Sequence, residues 1–190
     1  MSHDLPYLLI DDDFPLNFSI VALILYKLSF SVKGNAVLEF DKLQIFLYLV
    51  KNPSKINPML ALAGKKLLPI KSQYVFTIES LSSNVDVLFD RSKLKFLLKH
   101  MAARGMLECD TVTDPKSLKY YLSPVGIRFA EELIDFNSDG TGEPPSRSKD
   151  NEYDKSYFKA TLDVAEGLTS LQAQSVSKLN SYLNIIFKGI

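Results

Sequence analysis

Cysteine and histidine are the side chains best suited to nucleophilic or metal chemistry, and this chain has few of them. Cys109 is the only cysteine, and His3 and His100 are the only histidines. A thiol nucleophile needs a base within hydrogen-bonding distance, so His100 would have to reach Cys109 from the preceding helix. Because Cys109 alternates with Leu107 and Thr111 in a predicted strand, we interpret it as a small packing residue. With no metalloprotease, nucleophile-elbow or phosphate-loop motif, the sequence predicts no enzymatic activity and no cofactor.

A run of three acidic residues, Asp11 to Asp13, is a second candidate for chemistry. Hard cations bind clustered carboxylates. Three consecutive side chains cannot all point to one ion without a specialised loop, and partner acids at a useful spacing are missing. Because Phe14-Pro15 follows directly, we favour negative charge at a helix start and expect no metal site.

Cations are concentrated on the helix predicted after Ser92. Arg91, Lys95 and Lys99 recur every four residues and form a stripe on one face. Such a stripe could contact DNA phosphates or an acidic protein surface. Phe96 is predicted to point outward beside Lys99, and exposed aromatic residues are common in protein interfaces. Three interpretations stay open: a solvated basic face with Phe96 packed on a neighbouring element, a protein contact, and a DNA contact.

The elements around this helix follow a definite order. The helix is predicted to bury four apolar residues at helical spacing, Leu94, Leu97, Leu98 and Met101. Gly105 is placed to end it, and the strand-like runs MLECDTV and SLKYYLS follow around a polar loop. Ser123-Pro124 is typical of a helix start, and Ile127 and Ala130 are expected to face inward from that helix. This is the order of a winged-helix domain, so the predicted fold is mainly α with a small β-hairpin: a winged helix-turn-helix core plus extra helices.

The loop between the two strands has a mixed charge. It carries Asp110 and Asp114 beside Lys116. Phosphates repel carboxylates, so this loop is poorly suited to enter a DNA groove. Lys116 nevertheless joins Arg91, Lys95, Phe96 and Lys99 as a candidate contact to DNA or to a partner protein.

Composition limits the choice of partners. The 190 residues include 46% hydrophobic side chains, with 22 basic and 22 acidic residues. A balanced chain has no global attraction for DNA, so any such contact needs a local patch. The longest uninterrupted apolar run, Ile20 to Tyr26, is too short to cross a bilayer. With a single cysteine and no visible secretory signal, the sequence predicts a cytoplasmic protein and no membrane partner.

The N-terminal region contains one unusually apolar segment. Leu16 to Ser31 has helical length and is apolar almost all round. Such a helix is either central in a core or shared with another chain, and the second interpretation is compatible with a homo-oligomer. Ala36 to Phe40 is predicted as a short strand, and Asp41 is predicted to cap a helix over Lys42 to Lys51.

Composition shifts after residue 136 and divides the chain into three predicted parts. Residues 1–136 form a helical N-terminal region with the winged-helix domain, and 137–154 read as a flexible linker rich in Gly, Pro, Ser and charge. Residues 155–190 are predicted to be amphipathic helices, the last one over Leu168 to Lys188. Its apolar face is expected to bind a partner through four residues, Leu171, Leu179, Tyr182 and Ile186.

Two N-terminal stretches, FPLNFSIVALILYKLS and LEFDKLQIFLYLVKNPSKI, resemble the middle components of ABC-three-component systems. In that pattern a helix opening near a proline leads through a short loop to a second helix with the motif D-K/R-L, F-x-x-L and N-P. The matching positions are Pro15, Leu16, Leu23, Leu25 and Tyr26, then Asp41, Lys42, Leu43, Phe46, Leu49, Asn52 and Pro53. The same family is similar to accessory subunits of Lamassu-type defence complexes.

The resemblance implies a non-catalytic subunit that acts with an SMC/Rad50-like ATPase and an effector subunit in defence against phage or plasmid DNA. The residues also allow an alternative, a dimeric MarR-like or PadR-like transcription regulator that uses the same winged helix on DNA. The helix–hairpin order and the basic stripe favour the regulator, whereas the neutral charge and the acidic loop disfavour it.

Overall fold

A computed structural model describes residues 14–70, 91–111, 117–135 and 157–188 of the chain. Several features discussed above lie outside the described residues, namely His3, the run Asp11 to Asp13, Asp114, Lys116 and the predicted linker 137–154.

The described fold is mainly helical with one antiparallel hairpin, which confirms the prediction of a mainly α fold with a small β-hairpin. In chain order its elements are α1 (Phe14–Leu28), α2 (Phe40–Lys51), a 3-10 turn (Pro53–Lys55), α3 (Ile56–Leu62), α4 (Arg91–Ala103), β1 (Leu107–Asp110), β2 (Lys119–Leu122), α5 (Pro124–Asp135), α6 (Tyr157–Gly167), a second 3-10 turn (Leu168–Leu171) and α7 (Val176–Lys188).

Helix α1 forms the centre of the core. Ten of its fifteen residues are buried, and no side chain from Ile20 to Ile24 reaches solvent. Helices α2, α5 and α6 and strand β2 all pack around it. The interpretation that another chain covers this helix is therefore wrong, because the chain's own elements enclose it.

Helix α2 begins at Phe40, one residue before the predicted cap. Asp41 lies in the first turn, and Glu39, the residue that precedes the helix, makes no capping bond with its side chain. The carboxylate of Asp41 instead pairs with the guanidinium of Arg91 at 2.7 Å. Asp41 thus links the start of α2 to the start of α4 and is not a cap.

The connection from α4 through the hairpin to α5 matches the prediction closely. Gly105 has a φ of +67° and ends α4. Strands β1 and β2 then pair with Leu107 opposite Leu122. The hydroxyl oxygen of Ser123 accepts a hydrogen bond of 3.2 Å from the backbone N–H of Gly126, which caps α5.

Helix α5 packs against the base of the hairpin at Gly126. A Cβ at this position would lie 2.3 Å from the carbonyl oxygen of Met106 and 3.0 Å from the side chain of Leu122. Only glycine allows this approach. On the same helix Ala130 is buried as expected, but Ile127 is 38% exposed, so the prediction that it faces inward is wrong.

Residues Ala36 to Phe40 do not form the predicted strand. They nevertheless lie beside the hairpin, because the backbone N–H of Tyr120 donates to the carbonyl of Leu38 at 2.9 Å. Glu39 also makes an isolated bridge with Lys119. The segment after α1 therefore contacts β2 on the side where a third strand would lie.

The C-terminal segment is interrupted. The sequence predicts a single helix over Leu168 to Lys188, but a 3-10 turn ends at Leu171, and α7 begins at Val176. Helix α6 packs along α1, and α7 packs on α2 and α3. Lys27 of α1 and Glu166 of α6 also form an ion pair at 3.3 Å.

Gln172, at the interruption, ties the C-terminal helices to the core. Its buried side-chain amide donates to the carbonyls of Leu28 at 2.7 Å and Phe30 at 3.0 Å. The backbone carbonyl of Gln172 accepts a hydrogen bond of 3.1 Å from the Lys42 ammonium. Burial lowers the pKa of Lys42, an effect that the nearby carboxylate of Glu39 opposes.

Candidate functional site

Helix α4 divides its residues between core and surface in the way the sequence predicts. Its four buried residues are Leu94, Leu97, Leu98 and Met101. Arg91, Lys95 and Lys99 are all exposed on another face. The apolar side thus fixes the helix on the core, and the cations point away from it.

The exposed cations border an open cleft between α4 and the hairpin, which we call the basic cleft. Its volume is about 490 Å³. Residues from three elements form its walls, namely Phe40 of α2, Arg91, Lys95 and Lys99 of α4, and Cys109 and Tyr120 of the hairpin. Leu98, Ala102 and Leu107 supply apolar lining, which we call the floor, and Glu108 of β1 completes the lining. The Glu108 carboxylate accepts a hydrogen bond from Tyr121, on the hairpin face opposite Cys109 and Tyr120.

The three cations of the cleft differ in how they are held. Arg91 pairs with Asp41, and its guanidinium lies 4.6 Å from the centre of the Phe40 ring. These contacts position Arg91 and offset its charge. Within the described part of the chain, Lys95 and Lys99 make no ion pair. Their ammonium groups therefore supply the uncompensated positive charge of the cleft.

The hairpin wall of the cleft places Cys109 opposite Tyr120 in the strand register. Cys109 is an exposed free thiol, so the prediction that it is a small packing residue is wrong. Burial raises the pKa of Tyr120, and the negative charge of a Cys109 thiolate adds to this effect. The Tyr120 hydroxyl consequently stays protonated at neutral pH and remains able to donate a hydrogen bond.

His100 does not line the cleft with Cys109, so the cleft does not bring together the thiol–imidazole pair considered from the sequence. The His100 ring instead contacts the rings of Phe96 and Phe14, with centroids 4.3 Å and 5.2 Å away. We call these three residues the aromatic patch. Phe96 packs on its neighbours while 53% of it stays exposed, so it combines two of the orientations considered from the sequence.

Arg104 and Phe18 contact the Phe14 ring of the aromatic patch. The guanidinium of Arg104 lies 5.2 Å from the centre of the Phe18 ring and 6.0 Å from that of Phe14. Phe18 in turn packs edge-on against Phe129 of α5. The patch is therefore anchored on the core through α1 and α5, while its outer ring, Phe96, remains available to solvent.

The four apolar residues that the sequence predicts to bind a partner through the C-terminal segment are mostly covered by the chain itself. Leu171 and Leu179 are fully buried in the chain's own core. Tyr182 and Ile186 are partly buried and pack against the same core. Only the outer edges of Tyr182 and Ile186 remain for contact with another molecule.

Several lining residues were not foreseen from the sequence. Phe40, Glu108 and Tyr120 reach the cleft only because α2 and the hairpin fold beside α4. Alternation along β1 and β2 does place Cys109 and Tyr120 on one face, which is a usable signal. No local pattern relates Phe40 to Arg91, which are about fifty positions apart in the chain.

The described architecture is a helical protein with a central apolar helix, a small hairpin and a basic cleft at the hairpin. Residues 28–136, more than half of the chain, match the family of ABC-three component (ABC-3C) system Middle Component 4. The chain belongs to this family of middle components, as its N-terminal motifs indicated. Searches of curated proteins and of solved structures found no match.

The described residues contain neither a membrane-spanning helix nor a cluster of metal ligands. None of the helices there is both long enough and apolar enough to span a bilayer. Over the same ranges, His, Cys, Asp and Glu form no group of three that could hold a metal ion.

Proposed function

We propose that the chain is a non-catalytic accessory subunit that binds an SMC/Rad50-like ATPase and acts with an effector in defence against phage or plasmid DNA. The family match over residues 28–136 carries this proposal, because a middle component belongs to a multi-component system. The matched region begins at the end of α1 and contains α2, α3, α4, the hairpin and all of α5. Both the basic cleft and Phe96 lie inside it.

Phe96 is the residue best suited to contact the ATPase. Its ring is 53% exposed, although Phe14 and His100 hold it in place. A pre-positioned aromatic ring loses little conformational entropy on binding, and such residues dominate many interfaces. Because α1 and the apolar face of α7 are covered within the chain, the aromatic patch replaces them as the main support for a partner surface.

Co-expression with the ATPase encoded in the same gene neighbourhood tests this function. We expect the two proteins to co-purify and Phe96→Ser to weaken the complex by about tenfold or more, as truncating an interface aromatic residue typically does. Leu67→Ser is the matched control, since Leu67 has the same exposed fraction of 53% but lies outside α4. A chain that stays monomeric in the presence of the ATPase would refute the proposal.

The second candidate function is DNA binding as a dimeric winged-helix regulator. One specific observation favours it: residues 36–39 lie against β2, where a winged helix has its third strand. The charge of α4 argues against DNA binding, because Lys95 and Lys99 are the only cleft cations of the described chain that form no ion pair. With two phosphate contacts, the logarithm of the DNA-binding constant falls with the logarithm of salt concentration with a slope of about −2. This dependence is much weaker than that of a strong operator-binding protein. A salt titration with a promoter duplex separates the candidates, because a regulator binds its own site steeply and specifically.

A further inference from the structure

We infer that the basic cleft binds an extended acidic segment of a partner protein, with one aromatic or aliphatic side chain inserted between α4 and the hairpin. This inference rests on the proposed function and adds the chemistry of the contact. The aromatic patch and the cleft lie on different faces of α4, since Phe96 and His100 do not line the cleft. The two surfaces can therefore be tested separately.

Charge selects the ligand at the rim of the cleft. Lys95 and Lys99 are one helical turn apart, and each can reach a separate carboxylate. The Arg91 guanidinium already pairs with the Asp41 carboxylate at 2.7 Å. Arg91 therefore contributes less net positive charge to the cleft than Lys95 or Lys99 does. The rim thus matches two acidic side chains on an extended peptide.

The floor of the cleft selects an apolar anchor. Leu98, Ala102 and Leu107 cover it, and the Phe40 ring forms one end. A volume of about 490 Å³ accommodates one or two large side chains. The Tyr120 hydroxyl on the hairpin wall can donate a hydrogen bond to a peptide carbonyl or carboxylate, because it is protonated at neutral pH.

These features favour a peptide over a nucleic acid. A phosphate backbone presents charge but offers no aliphatic group for the apolar floor. Asp41 lies beside Arg91, and its carboxylate repels phosphates. A peptide avoids this repulsion because its acidic side chains can be placed at Lys95 and Lys99 alone.

Cys109 provides a direct test because it is the only cysteine of the chain and is exposed in the cleft. The reaction rate of its thiol with a disulfide reagent is measured on the full chain. The probes are a 12-residue peptide of Asp and Glu around a central Phe, the same peptide with Asn and Gln, and a 20-base-pair duplex. Fluorescence anisotropy gives the affinity of each probe in parallel.

We expect the acidic peptide alone to slow the Cys109 reaction and to bind about tenfold more weakly to the double variant Lys95→Gln, Lys99→Gln, as the loss of two charge pairs implies. Lys93→Gln is the control, because Lys93 is on α4 but outside the cleft lining. Equal binding of both peptides, protection of Cys109 by the duplex, or no protection by any probe would overturn the inference. If the ATPase still co-purifies in those cases, the proposed function stands without it.

Discussion

Removal of residues 137–190 should unfold the remaining chain. Four leucines of the C-terminal segment have at most 1% of their surface exposed: Leu168, Leu171, Leu179 and Leu183. Burial of a leucine side chain is worth about 1.5–3 kcal/mol, so these four contribute roughly 6–12 kcal/mol. Whole domains are stable by only about 5–15 kcal/mol, and the truncation would also expose α1 to water. The loss is therefore comparable to the entire free energy of unfolding.

The truncated chain is assayed by circular dichroism during heating and by binding of a hydrophobic dye. We expect no cooperative transition and strong dye binding. Co-expression of residues 157–188 as a separate chain should restore cooperative melting and abolish dye binding. Leu171→Ala is the milder form of the test and should cost about 2–5 kcal/mol. Leu62→Ala is the matched control, because 39% of Leu62 is exposed. A truncated chain that melts cooperatively and binds no dye would refute the reasoning.

Three further changes test particular contacts. Gly126→Ala should lower the free energy of unfolding by about 1–3 kcal/mol, since the new Cβ would lie 2.3 Å from the Met106 carbonyl oxygen; circular dichroism melting measures this. Gln172→Leu should cost about 1–3 kcal/mol in urea titrations, because the buried Leu28 carbonyl loses its side-chain donor. Lys42→Met should lose stability relative to the native chain as the pH rises towards 10.5, again measured in urea. The native pKa of Lys42 is lowered, so between that pKa and 10.5 the unfolded chain binds more protons and native stability increases with pH.

Each of these three changes has a contrasting outcome. Unchanged melting of the Gly126 variant would mean that α5 and the hairpin can separate at little cost. Gln174→Leu should lower the free energy of unfolding less than Gln172→Leu does. Equal losses would contradict the stabilising role of the Gln172 side-chain amide. For Lys42, a constant difference between variant and native stability from pH 7 to 10 would contradict the linkage. Both proteins retain Tyr48 and Tyr120, whose raised pKa values affect them alike.

Local features of this fold could be predicted from the sequence because they depend on neighbours in the chain. The buried stripe of α4, the left-handed turn at Gly105 and the cap at Ser123 all follow from residues within a few positions. The exposure of Cys109 and Ile127 was predicted wrongly, because exposure depends on which element packs above each residue. The helix–hairpin–helix order was likewise readable, since turns and periodicity encode it directly.

The candidate site could be predicted only in part. The spacing of Arg91, Lys95 and Lys99 identified its basic rim, but the Asp41 partner and the Phe40 wall come from α2. The apolar face of α7 was visible in the sequence, yet an amphipathic pattern does not say what covers it. The structure covers Leu171 and Leu179 with the chain's own core rather than leaving them for a partner.

The order in which the ribosome makes α1 and its covering helices has a consequence for biogenesis. Helix α1 ends at Leu28, whereas α6, which packs along it, ends at Gly167. At usual synthesis rates, roughly 8–30 s separate the appearance of these elements. During that time α1, the most hydrophobic of the described helices, is not yet buried by α6. We therefore expect chaperones to bind it early and to release it only when translation is nearly complete.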